Sequence, residues 1–205
     1  MYLYNRTSLA HPDQYRESVA FALSIAKKVE SLTGISVSVY ATLFGGPVST
    51  ISWGAVFGSM GELETMREKL ADPSYAADVD KARGLFDGPP TDSLLKIISA
   101  NFDANPKRYY SGVVTRVQPS KLTEALALGI EIQQHACSVT DGQGLFGAST
   151  FGEATVGWIT GANSLAELET TTDKANKDKK FQQLAADFRS LVLPGTTRTL
   201  VERIG

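Results

Sequence analysis

The sequence predicts an α+β protein made of two tandem βαββαβ units, and two observations carry that prediction. The first is an internal repeat: "STISWGAVFGSMGELETMREK" (49–69) and "ATVGWITGANSLAELETTTDK" (154–174) share a tryptophan in a β-prone run, a turn and Glu-Leu-Glu-Thr. Self-similarity at a fixed spacing indicates repeated structural units. The second is that β-prone runs and helical patterns follow the same order in both halves of the 205-residue chain.

The number of residues between matching positions of the two halves changes by two, and this change falls in a predicted turn. Trp53 and Trp158 are 105 residues apart, whereas Tyr2 and Tyr109 are 107 apart, as are 44–45 and 151–152 (both Phe-Gly). The change falls where "GGPVSTISW" faces "GEATVGW", and a hairpin loop tolerates such a change. We therefore expect two copies of one unit, at 1–104 and 105–205, joined through the polar stretch "ANFDANPK" (100–107).

The first half begins with a strand and a helix. "YLYNRTSL" is rich in aromatic and strand-compatible residues, and Pro12 suits the first turn of a helix. The helix is predicted to end near Gly34, a favourable residue at a helix C-terminus. Its apolar face, at three- and four-residue steps, consists of Tyr15, Val19, Ala22, Ala26 and Val29.

Two strands and a helical region follow. "ISVSVYATLF" (35–44) alternates apolar and polar residues, which predicts one face against helices and one more polar face. "TISWGAVFG" is the partner strand, and Ser59 with Glu62 forms a capping-box pattern for the next helix. That helical region, broken near residues 72–73, is expected to reach about Phe86. "DGPPTD" then stops it, and "LLKIIS" is the last strand.

The second half repeats this order. Its predicted elements are "YYSGVVTRV", a helix after Pro119, "LFGAST", "ATVGWIT", a helix from Ser164, and "TRTLVERI". The run "KANKDKK" (174–180) is interpreted as a solvated helix face. Each half is thus a ferredoxin-like, or split βαβ, unit. Packing the two sheets against each other would bury the face that each unit leaves uncovered.

A duplicated βαββαβ chain with a tryptophan in the third strand and a helix opening at Ser-x-x-Glu resembles the dimeric α+β barrel superfamily. That resemblance covers the order of elements over nearly the whole chain and implies a pseudo-dimeric α+β barrel with helices outside. The superfamily includes antibiotic-biosynthesis-monooxygenase, stress-responsive, NIPSNAP-like and haem-binding chlorite-dismutase types. Since one fold hosts unrelated chemistries, the resemblance alone does not select a function.

The candidate ligand-binding residues are polar and aromatic side chains expected to line a cavity between the two sheets. They are Tyr4, Arg6, Ser38, Tyr40, Trp53 and Trp158. We expect Tyr4 and Arg6 to face the barrel interior together with Ser38 and Tyr40, a lining that would suit a small molecule. The alternatives are a centre filled by hydroxyls and water, and tryptophans that serve only as core.

Haem is a minor alternative that rests on the resemblance. In the superfamily that this chain resembles, the haem-degrading members of the monooxygenase type use an asparagine from the first strand and a tryptophan and a histidine from a helix. Asn5 is present, but neither predicted Glu-Leu-Glu-Thr helix contains tryptophan or histidine. The only histidines are His11, interpreted as a turn residue, and His135, interpreted as lying near a helix C-terminus. Otherwise no cofactor and no metal are expected, since Cys137 is the only cysteine.

Composition excludes several classes of partner. A net charge of −2 gives no field that would attract nucleic acid or an anionic membrane. No stretch approaches the roughly 20 apolar residues of a membrane span. We expect a cytoplasmic protein, because no secretory signal pattern opens the chain. We expect a protein that binds a small molecule between the two sheets, and the resemblance implies that it could be a cofactor-independent monooxygenase-like enzyme. The alternative that the resemblance implies is a NIPSNAP-like or stress-barrel-like protein that assembles as a homo-oligomer without catalysis.

Overall fold

The computed structural model describes residues 1–102 and 105–205, and its strands and helical regions follow the order that the duplicated sequence predicts. The first half holds β1 (Tyr2–Ala10), α1 (Tyr15–Thr33), β2 (Ser38–Phe44), β3 (Thr50–Phe57), α2 (Met60–Lys69), α3 (Pro73–Val79) and β4 (Phe86–Asn101). The second half holds β5 (Tyr109–Arg116), α4 (Leu122–Thr140), β6 (Gln143–Ser149), β7 (Thr155–Ala162), α5 (Leu165–Lys177), α6 (Lys179–Arg189) and β8 (Thr197–Arg203).

The sheet topology confirms the predicted fold class. The strands form a closed barrel in the order β1-β3-β2-β8-β5-β7-β6-β4. The chain divides into two compact units, the first of residues 1–94 with 202–205 and the second of residues 95–201. The predicted boundary between the two units directly follows residue 104. Because residues 103 and 104 lie outside the described part of the chain, this boundary stays a prediction.

The first helix packs as its sequence pattern predicts. Ala22, Ala26 and Val29 are buried, and Ile25 joins them on the same face. The helix ends at Gly34, whose φ of 77° is left-handed and whose N–H donates to the carbonyl of Glu30. Such a geometry favours glycine because a Cβ would be strained there.

The two capping boxes are the local signature of the duplication. Ser59 accepts a hydrogen bond from the N–H of Glu62, and the Glu62 carboxylate accepts from the N–H of Gly58. Ser164 and Glu167 repeat this arrangement at the start of α5. Each pair satisfies N–H groups that the first helical turn leaves without intrahelical partners.

The structure corrects the prediction for the end of the first half. We predicted that helix reaches about Phe86 and that "DGPPTD" separates it from a strand, whereas β4 begins at Phe86 and includes that segment. Pro89 and Pro90 are exposed, and proline fits a strand where no N–H has to donate to a neighbour. Gly88 adopts a left-handed φ of 65° at the start of this segment.

The basic run "KANKDKK" spans two helices and not one. Asp178 ends α5 with extended backbone angles, and its carboxylate accepts from the N–H of Phe181 to begin α6. Leu184 and Phe188 of α6 are buried, whereas α3, the helix that follows α2 in the first unit, buries no residue. This difference between the units shapes the site described next.

Candidate functional site

A cavity of about 440 Å³ lies in the first unit, between its sheet and its own helices. Strands β1, β3 and β4 supply one wall, and helices α1, α2 and α3 supply the other. The apolar part of the lining comprises Phe21, Ile25, Val29, Val37, Trp53, Ala55, Met66, Leu70, Val79 and Phe86. The polar side chains of the lining are Tyr4, Arg6, Ser8, Tyr75, Asp80 and Arg83. A small set of polar groups in an apolar cavity is typical of small-molecule sites.

Trp53 forms the inner wall of the cavity and is fixed from both sides. Its indole N–H donates to the carbonyl of Ala22 on α1 at 3.1 Å. Its ring meets Phe86 edge to face at 5.9 Å between centroids. Because the indole is buried and its one donor is satisfied, the ring is a rigid surface against which a planar ligand could pack.

Arg6 is the charged side chain that the strands contribute to the cavity lining. Its Nε donates to Oδ1 of Asp92 at 2.7 Å, and its Nη2 donates to Oδ2 at 2.8 Å. This two-point pairing orients the guanidinium across 86 residues of chain. Arginine is suited to this pairing because its planar guanidinium presents two parallel N–H groups to the two oxygens of a carboxylate.

The electrostatics around this pair follow from burial and proximity. Hydrogen bonding from Arg6 lowers the pKa of Asp92, and the Tyr4 hydroxyl and the charge of Arg67 act in the same direction. Burial raises the pKa of Tyr4 and of Tyr75, and the nearby Asp92 charge adds to both increases. Both phenols therefore stay protonated at neutral pH.

The strand register corrects the predicted facing of the candidate residues. Arg6 lies opposite Trp53, and Tyr4 lies opposite Ala55, so these side chains share the face that packs on the helices. Tyr40 lies on the other face, since a Cβ built on Gly54 would meet its ring at 3.0 Å. The prediction that Tyr4 and Arg6 share a face with Ser38 and Tyr40 is therefore wrong, because opposite residues of paired strands point the same way.

The second unit fills the corresponding space with side chains. Trp158 matches Trp53 and donates its indole N–H to the carbonyl of Gly129 at 3.2 Å. Phe146 and Phe188 each lie 4.9 Å from its ring. Val113 occupies the register position opposite Trp158 that Arg6 occupies opposite Trp53. Trp158 thus packs against the core of the second unit, as expected if this tryptophan serves only as core.

Of the six candidate residues, the structure brings Tyr4, Arg6 and Trp53 together, and it places Ser38, Tyr40 and Trp158 elsewhere. Sequence reasoning missed Asp92 and Tyr75. Asp92 stands in "DGPPTD", a segment whose residue types predict the end of a helix, and Tyr75 lies on the short α3. No spacing in the sequence connects either residue to Arg6.

Neither histidine lines this cavity. His11 pairs with Asp87 at 3.1 Å, and His135 pairs with Asp178 at 2.7 Å. His135 lies in the second unit, so the described histidines do not fit axial ligation of a haem iron in the cavity. In the described ranges, no group of three or more potential metal-ligating side chains occurs.

Comparison with known proteins shows the fold. No protein-family profile matches the chain, and no curated protein matches it. A candidate monooxygenase from Fusobacterium nucleatum superposes with a TM-score of 0.77 at 9% identity, over 100% of this chain and 92% of that one. An anthrone oxidase-like protein gives a TM-score of 0.70 at 13% identity, over 100% and 91%. A candidate chlorite dismutase gives 0.59 at 11% identity, over 100% and 96%.

These neighbours share the fold of this chain, an α+β protein with a closed barrel. Identities this low carry no residue role from one chain to another. Separately, among the described helices none has the length and apolar character needed to cross a membrane.

Proposed function

We propose that the first unit binds a small, mainly apolar molecule in the cavity between its sheet and its helices. The observation that carries the proposal is the combination of a mostly apolar cavity of about 440 Å³ with the polar groups of Arg6 and Tyr4 on β1 and of Tyr75 on α3. Trp53 provides the flat surface, and Arg6 provides the polar anchor. The second unit acts as a filled structural counterpart.

Binding is tested with the neutral aromatic probe 2-naphthamide and isothermal titration calorimetry. The unaltered protein is expected to bind the probe with saturable heat, and Ala55→Leu is expected to abolish it. Ala55 is buried in the cavity wall opposite Tyr4, so a larger side chain there occupies ligand space. Ala76→Leu on the exposed surface of α3 is the matched control. Saturable binding that survives Ala55→Leu would place the site elsewhere.

We further propose oxygenation without a cofactor as the reaction class. The fold shared with a candidate monooxygenase and an anthrone oxidase-like protein supports this proposal. In such a reaction an activated CH₂ group loses a proton, the carbanion reduces O₂, and the resulting peroxide loses water to leave a carbonyl. One O₂ is consumed and one water is released for each carbonyl formed.

Oxygen uptake with anthrone tests the reaction. The protein is expected to raise the rate above that of anthrone alone, and Ala55→Leu is expected to return it to that background. An unchanged rate with the unaltered protein would contradict oxygenation of this substrate class, while the calorimetric result would still decide on binding.

Self-assembly is the second candidate function, and one observation favours it. Phe44 and Phe151 occupy matching hairpins in the two units, and their exposed fractions are 67% and 71%. Exposed aromatic side chains at repeated positions are candidates for contact between copies of the chain. Sedimentation velocity tests this function: a homo-oligomer that Phe44→Ser with Phe151→Ser dissociates would support it, and a monomer at all concentrations would contradict it.

A further inference from the structure

We propose that the cavity selects a ligand that carries one anionic oxygen group, a carboxylate or a phenolate, on an apolar ring system, and that Arg6 recognises this group. This inference rests on the proposed function of the same cavity and adds the chemical class of the ligand. Four features of the first unit support it.

The first feature is the side of the Arg6 guanidinium that Asp92 does not contact. Asp92 takes the Nε and Nη2 donors at 2.7 and 2.8 Å. The Nη1 donors make no hydrogen bond to the described residues, and Arg6 lines the cavity whereas Asp92 does not. The carboxylate of Asp92 therefore holds the guanidinium in place, and a ligand oxygen can meet the remaining N–H groups. The same side chain would then join a structural carboxylate and a ligand oxygen.

The second feature is the charge around the cavity. The charged side chains that line it are Arg6, Asp80 and Arg83. Asp80 and Arg83 pair with each other at 3.1 Å, and Arg6 pairs with Asp92, which lies outside the lining. The cavity surface itself therefore carries two guanidinium groups and one carboxylate, a balance that favours an anionic group on the ligand.

The third feature is the protonation of the neighbouring phenols. Burial raises the pKa of Tyr4 and Tyr75, so neither hydroxyl becomes an anion that would repel an incoming one. The Tyr4 hydroxyl hydrogen-bonds to Asp92, whereas the Tyr75 hydroxyl can donate to a ligand. Beside Arg6 the cavity therefore offers a further donor, in a lining that is mostly apolar. Such a lining matches an acceptor group attached to an apolar body.

The fourth feature is the contrast with the second unit. The register position of Arg6 is taken there by Val113, and Phe146 fills the space beside Trp158. Only the unit that keeps the cavity also keeps this charge, which indicates that Arg6 serves the cavity and is not required by the sheet.

Two isosteric probes test the inference. 2-Naphthoate carries a carboxylate at pH 7.5, and 2-naphthamide has nearly the same shape without the charge. We expect 2-naphthoate to bind about tenfold or more tightly by calorimetry, since hydrogen bonds to charged groups contribute that much discrimination. A third probe, 2-naphthol, distinguishes the sources of the anion, because a phenolate has a red-shifted absorbance. Binding as phenolate indicates that phenols suffice, and binding as the neutral phenol restricts the anion to carboxylates.

A double variant and a matched control test whether Arg6 recognises the anionic group of the ligand. Arg6→Met combined with Asp92→Leu removes both charges, so no unpaired carboxylate remains, and its thermal midpoint serves as the folding check. We expect this double variant to bind both naphthalene probes with equal affinity. Arg116→Met in the second unit is the matched control, because Arg116 is a half-exposed strand arginine with a side-chain exposure of 46%. It should keep the preference for 2-naphthoate.

Each other outcome has a definite meaning. Equal binding of 2-naphthoate and 2-naphthamide to the unaltered protein would overturn the inference and leave the binding proposal standing. A preference that survives in the double variant would show that Arg6 does not recognise the anion. Failure of both probes to bind would contradict the proposed function itself.

Discussion

The ring of Phe146 occupies the space that Gly129 leaves open on α4, since a Cβ built on Gly129 would overlap that ring. The residues at the matching positions of the first unit are Val39 and Ala22. In both units the helix carbonyl at this position accepts the tryptophan N–H. The two units thus share one framework and differ in how they fill the space beside the tryptophan.

Gly129→Ala is expected to destabilise the second unit. The added methyl group meets the fully buried ring of Phe146, and overpacking of a core typically costs about 1–3 kcal/mol. Urea unfolding measures the change, with Gly61→Ala on the exposed α2 as the control. Phe146→Val in the Gly129→Ala background should recover part of the loss. Equal stability of Gly129→Ala and the unaltered protein would show that the ring can move aside.

Val39→Phe is expected to convert the first unit toward the filled arrangement of the second. Val39 is fully buried and lies opposite Trp53, so the new ring is forced against Ala22. We predict a lower thermal midpoint and partial rescue by Ala22→Gly, which recreates the pairing of Phe146 with Gly129. Additive effects of the two substitutions, with no rescue, would contradict the structural equivalence of these positions.

Ser59→Ala and Ser164→Ala are expected to cost similar amounts, about 1 kcal/mol each. Each serine accepts from the N–H three residues on, at 3.2 Å in α2 and 3.0 Å in α5. Thermal or urea unfolding of the two single variants provides the comparison, and Ser120→Ala is an exposed control. A loss confined to one variant would mean that the two caps do not contribute alike.

Asp92→Asn is expected to reduce the loss of stability in acid. The folded-state pKa of Asp92 lies below its ordinary value of 3.8, chiefly through Arg6. Its contribution is therefore complete above that ordinary value and disappears as the pH falls through the lower folded-state pKa. Thermal midpoints between about pH 5 and pH 2 should decline less steeply in the variant. An identical decline would show that the pairing does not stabilise the fold, and Asp13→Asn controls for surface charge.

Much of the fold was predictable because repeats, caps and hairpins leave local marks. The order of the elements could be predicted from Trp53 and Trp158, from the two capping boxes and from the glycine after α1. The face of β1 was not predictable, since residues 2–9 are all partly buried and alternation is absent. Only pairing with β3 decides which way Arg6 points.

The site was less predictable than the fold. Arg6 and Asp92 are 86 residues apart, so their pairing depends on β4 lying beside β1. The cavity exists because α3 places no large apolar side chain in the core of the first unit: this seven-residue helix has no buried residue. In the second unit, α6 buries Leu184 and Phe188. Composition does not show that difference, because it arises from packing between distant elements.

The most direct test of the central claim uses the two tryptophans as reporters in one spectrum. The ¹H–¹⁵N spectrum of the protein contains one indole N–H signal for each, and Trp158→Phe assigns them. Titration with 2-naphthoate is predicted to shift the Trp53 signal in a saturable way and to leave the Trp158 signal in place, since only Trp53 lines the cavity. A static Trp53 signal at saturating probe, or equal shifts of both signals, would contradict a binding site in the first unit.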